Sequence, residues 1–105
     1  MDYRVSNMDL LSSIFAGQSS VILSEQIRAA RALLGWEQKT LADQAGLGLS
    51  TIKRLESARG PVGGTAESVW AVQRALEAGG IMFIDGDDRA GPGVRLATPT
   101  RGRGG

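Results

Sequence analysis

Apolar residues recur three and four apart along most of this chain, then run together and alternate near its end. Ile27, Ala30 and Leu34 form the first clear stripe. Ser24 stands before it as an expected N-cap, Glu25 sits near the positive helix end, and Gly35 closes the pattern. Trp36 follows at a junction between helices, where tryptophan is expected in the core rather than stacked on a nucleotide. Between Gln38 and Ala45, Leu41, Ala42 and Ala45 share one face while Lys39, Asp43 and Gln44 look outward, and Gly46 ends the helix. The helical pattern resumes at Leu49. Ile52 and Leu55 point inward, Ser50, Lys53, Arg54 and Ser57 fall on the opposite side, and Leu49 lies at the border. Residues 59–64 read as a loop from their glycines and Pro61, and Thr65 as the cap of a helix over 66–78 that buries Val69, Trp70, Val72 and Leu76.

The last part of the chain breaks the helical period. Ile81 to Ile84 is a short run of strand type, Asp85-Gly86 begins a turn, and Val94-Arg95-Leu96 returns as the second strand of a hairpin. A two-stranded hairpin is marginal alone, so it must lie on the helices or pair with a second copy. At the other end, Asn7 would cap a short helix carrying Leu10, Leu11, Ile14 and Phe15, either an arm on its own domain or a dimerisation element. Asp9 interrupts that apolar run and the charge before it is only Asp2 and Arg4, which does not suit a secretory signal. The expected organisation is an arm over 1–23, a helical domain over 24–79, a hairpin over 80–97 and a disordered tail over 98–105. The fold class is mainly α, four to five helices with a C-terminal β-hairpin.

Two short helices joined by a glycine turn, the second with a buried stripe and an outer row of hydroxyls and cations, have the shape of a helix-turn-helix. The wording goes further. Gln-x-x-Leu-Ala (Gln38, Leu41, Ala42), Ala-Gly-Leu (residues 45–47) and Ser-Thr-Ile-x-x-Leu-Glu (residues 50–56) resemble the Cro and phage-repressor type, the XRE family, over roughly half the chain. Glu37 and Gly48 stand where that family usually has Ser or Thr, which weakens two caps and one phosphate contact rather than the fold.

The resemblance implies a DNA-binding regulator of prokaryotic or phage type that acts in the cytoplasm, dimeric on a palindromic operator. The helix over 49–57 would enter the major groove, with Ser50, Lys53 and Arg54 at base edges and Leu49 against a thymine methyl. Gln38, Lys39, Thr51, Arg59, Gly64 and Thr65 would hold phosphates, which position more than they specify. It also implies an ion pair between Arg31 and Glu56 locking the first helix to the third.

Composition narrows the chemistry. At 105 residues there is room for one small domain. The chain has no Cys and no His, so disulfides, Cys/His zinc sites and Ser-His-Asp catalysis are excluded. Formal charge is +1, and residues 24–78 hold seven basic against six acidic groups, so attraction to DNA must come from placement. Arg101 and Arg103 in the tail add only nonspecific attraction. No cofactor is expected, since no Walker lysine follows the glycine loop. Asp85, Asp87 and Asp88 lack the spacing and terminal Glu of a calcium loop and read as a solvated turn, so no metal and no enzyme activity is expected. No stretch approaches the ~18 to 20 apolar residues of a membrane span. A second class remains open: an antitoxin or adaptor module whose main ligand is a partner protein held by the arm or the hairpin.

Overall fold

Helices and strands succeed one another in the expected order through residues 22–99, the part of the chain that the computed structural model describes: α1 (Ser24–Leu34), α2 (Gln38–Ala45), α3 (Leu49–Glu56), α4 (Ala66–Gly79), β1 (Ile81–Ile84) and β2 (Gly93–Leu96). The architecture is mostly helical with a C-terminal hairpin, as the periodicity predicts. The helix expected after Asn7, most of the N-terminal arm and the tail from Thr100 onward lie outside the described residues.

Each helix turns its stripe to one shared core. Ile27 and Ala30 of α1, Leu41 and Ala42 of α2, Ile52 and Leu55 of α3, and Val72, Ala75 and Leu76 of α4 are buried together, joined by Ile22 and Ile81. Full burial of a Leu or Ile side chain is worth about 1.5–3 kcal/mol, so these residues supply most of what holds such short helices, which would be marginal in isolation. The α2–α3 turn is tight because Gly46 takes the left-handed conformation (φ 71°). That conformation lets the Gly46 N–H donate to Asp43 O at 3.3 Å and the Leu47 N–H to Ala42 O at 3.0 Å.

Two expectations are corrected. Ser24 is not the cap of α1: Leu23 holds the cap position, and the Gln26 Oε1 accepts the Leu23 N–H at 2.7 Å. Ser24 lies one residue inside the helix, fully buried, where its hydroxyl donates to Leu55 O at 2.6 Å. Position before an apolar stripe cannot tell a capping hydroxyl from one consumed by a neighbouring helix. Trp70 is the other. It is 47% exposed, because the inward face of α4 is centred on Val72 and Leu76, and Trp70 falls on the outer side beneath the Arg74 guanidinium, 4.9 Å from the ring centroid. Trp36, by contrast, packs against the core.

The hairpin leans on the helices. β1 and β2 pair antiparallel with Ile81 opposite Leu96, Met82 opposite Arg95, Phe83 opposite Val94 and Ile84 opposite Gly93. Ile81, Phe83, Val94 and Leu96 pack on the core, whereas Met82, Ile84 and Arg95 face out. Gln26 of α1 ties the strands down by donating from Nε2 to Gly93 O at 2.9 Å. The 85–92 connection is ordered by Asp87, whose Oδ1 accepts the N–H groups of Arg89 and Ala90, each at 2.8 Å. Those two bonds hold the Asp87 carboxyl below its ordinary range.

Candidate nucleic-acid interface

The short helix α3 owes its placement to its buried side. Ile52, Leu55 and Glu56 are buried, which turns Leu49, Ser50, Lys53 and Arg54 to solvent. Lys53 and Arg54 enter no ion pair among the described residues, so both charges are available to an incoming anion. Thr51 is half-buried at the edge of the same surface. The N-terminus of α3 begins at Gly48 and that of α2 at Glu37, neither with a side-chain cap. Such ends present unpaired N–H groups with a positive dipole.

The C-terminal end of α3 is held by a polar knot that the apolar pattern does not reveal. Arg31 donates from Nε to Glu56 Oε2 at 2.6 Å and from Nη2 to Glu56 Oε1 at 2.8 Å, a bidentate pair. The Glu56 side chain is only 2% exposed and that of Arg31 21%. Arg31 Nη1 also donates to Trp36 O at 2.9 Å, and Gln38 Nε2 donates to Glu56 Oε1 at 3.1 Å. The carboxylate thus receives three donated bonds, which is how a buried charge is tolerated. Arg28 donates to Glu56 O and to Ala58 O, the latter at 3.2 Å, placing a cation at the negative end of α3.

The remaining candidates fall in two places. Lys39 is exposed on the first turn of α2, with its Nζ 3.5 Å from Asp43 one turn later. Arg59, Gly64 and Thr65 are exposed in and after the loop that follows α3. That loop is pinned from the other side: Ser24 N–H donates to Gly60 O at 2.9 Å, and the Gly60 N–H donates to Glu25 Oε1 at 3.0 Å. The bond from Gly60, helped by Arg28 and Arg59 nearby, lowers the Glu25 carboxyl below its ordinary range. The hydroxyl of Thr65 is committed to its own helix, accepting the Ser68 N–H at 3.0 Å and donating to Ser68 Oγ at 2.9 Å.

Sequence reasoning did not find Ser24 and Arg28 as fasteners of this surface, nor Gln26 as the tie to the hairpin. Arg28 stands three residues before Arg31, the only hint in the chain that both turn toward α3. Among the described residues no three carboxylates are gathered for a metal ion, and no described helix is long and apolar enough to cross a membrane.

Residues 27–66 match the family model described as helix-turn-helix, a span that runs from inside α1 through α2 and α3 to the first residue of α4. No curated protein matches the chain.

Proposed function

We propose that the chain, whose residues 27–66 match a helix-turn-helix family model, is a sequence-specific DNA-binding transcription regulator of the XRE type, acting as a dimer on a palindromic operator. The observation that carries this reading is the solvent face of α3. A groove-reading helix needs short polar groups, unpaired cations and a methyl-seeking apolar residue on one side, and Ser50, Lys53, Arg54 and Leu49 stand exposed there. In this docking the N-terminal end of α3 leads into the major groove. Lys53 donates to guanine O6 or N7, Ser50 meets a base edge, Leu49 lies against a thymine methyl, and Arg54 reads a base or holds a phosphate. Gln38, Lys39 and Thr51, with Arg59 and the Gly64-Thr65 turn on the far side, hold the sugar-phosphate backbone. A second subunit supplies a second half-site about 34–36 Å away, because one module alone binds weakly. Such a regulator works in the cytoplasm, where prokaryotic DNA lies.

Selection of bound sequences from a random duplex pool at about 0.15 M salt tests this directly. Enrichment of a palindrome with half-sites one turn apart is the expected result; an unenriched pool would overturn it. On the enriched site Lys53→Ala is expected to relax base preference at one position per half-site, at about 1–3 kcal/mol.

A second reading is supported by the outward residues Met82 and Ile84 of β1 and Trp70 of α4, all large and exposed. In an antitoxin or adaptor module these would meet a partner protein. A stoichiometric protein co-purifying with the chain, lost on Met82→Lys/Ile84→Lys, would favour that reading.

A further inference from the structure

We infer that Glu56 is a positioning residue for the DNA contact: it holds the Gln38 amide so that a remaining N–H is offered to a backbone phosphate. This rests on the DNA-binding reading above. A glutamine amide has two donors and one acceptor, and by itself can turn either end toward a neighbour. Glu56, ionised and paired to Arg31, can only accept. Opposite it the amide must present its NH2 side, as the 3.1 Å contact from Gln38 Nε2 to Glu56 Oε1 shows.

Phosphate oxygens also only accept, so an amide flipped the other way would meet a phosphate with its carbonyl and repel it. One N–H of Gln38 is consumed by Glu56; the other has no partner among the described residues. Gln38 is half-buried on the first residue of α2, beside backbone N–H groups without a side-chain cap. The buried ion pair therefore does more than join α1 to α3. It presets a donor at the end of α2, so that less freedom is lost when the phosphate arrives.

A double-mutant cycle on the full chain, with the DNA site selected as above, tests the coupling. Gln38→Ala is expected to weaken binding about tenfold, the weight of one charge-assisted hydrogen bond. Arg31→Met/Glu56→Leu replaces the pair by apolar groups of similar size, a change that buried pairs often tolerate. In that background binding is expected to start about tenfold weaker, and Gln38→Ala to add nothing. Ethylation interference should fade at the same phosphate in all three variants. Equal effects of Gln38→Ala in both backgrounds would overturn the inference while leaving DNA binding intact; wild-type chain that selects no DNA would remove both. Should the apolar pair fail to fold, hydrogen exchange of the Gln38 side-chain amide in the wild-type chain decides. Slowed exchange of one of its two hydrogens in free protein supports the preset donor, and exchange of both at free-glutamine rates refutes it.

Discussion

Single side chains set the tolerances here. A Cβ on Gly79 would stand 2.7 Å from two ring atoms of Trp36, so this helical position is small because the indole occupies the space beside it. Gly→Ala inside a helix ordinarily gains up to about 1 kcal/mol, but overpacking against a rigid ring costs about 1–3 kcal/mol. Gly79→Ala is therefore expected to lower the denaturation midpoint, and Gly79→Ala/Trp36→Leu to recover part of the loss. Asp87 tests the hairpin turn by pH. Its carboxyl is held down by two N–H donors, so its contribution is present above the ordinary carboxylate range and is lost as pH falls through the lower folded value. Amide protection at Arg89 and Ala90, taken relative to intrinsic exchange at each pH, should fall on acidification in the native chain, and be absent at every pH in Asp87→Ala. Both residues announce themselves poorly in sequence: Gly79 reads as one of a terminating pair, and Asp87 as one of three similar acids.

At the level of elements, the four helices and the hairpin were legible because each carries a stripe of the right period and a glycine or loop at its end. Their starts were less so. Thr65 was readable as a cap, and its Oγ1 accepts the Ser68 N–H; Thr65→Ala is expected to cost about 1 kcal/mol in denaturant unfolding. Ser24 looked equivalent but is buried against Leu55 O, a partner 31 residues away that no local rule could supply. Gly48 caps α3 with extended dihedrals (φ −75°, ψ 154°), and a Cβ there would meet nothing within 4 Å. Gly48→Ser is accordingly expected to stabilise the domain by roughly a few tenths of a kcal/mol, read as a small rise in melting temperature.

For the whole molecule, the polar knot matters more than its size suggests. Glu56, Arg31, Gln38 and Arg28 join α1, α2 and α3 around one carboxylate and the carbonyls that follow it. Removing one partner leaves a buried charge without its counter-ion, so Arg31→Ala is expected to cost about 3–5 kcal/mol by denaturant titration. That is a large share of the stability of so small a domain. The hairpin is bound to the same body by Gln26 and by the inward residues Ile81, Phe83, Val94 and Leu96. Gln26→Ala should loosen the strands, seen as faster amide exchange in β1 and β2, while leaving α2 and α3 protected.

The chain by itself determined its periodic content: which segments are helical, where glycine stops them, that a strand pair follows, and that Ser50, Lys53 and Arg54 cannot share a face with Ile52 and Leu55. These are consequences of 3.6-residue and 2-residue repeats, which any single segment displays without its neighbours. Tertiary structure alone decided that Trp70 stays outside while Trp36 packs on the core, that the Ser24 hydroxyl serves α3 instead of α1, and that the Gln38 amide faces Glu56. Each of those depends on which surface meets which across a long sequence separation, and a hydroxyl, amide or indole takes whichever partner the assembled core leaves within reach.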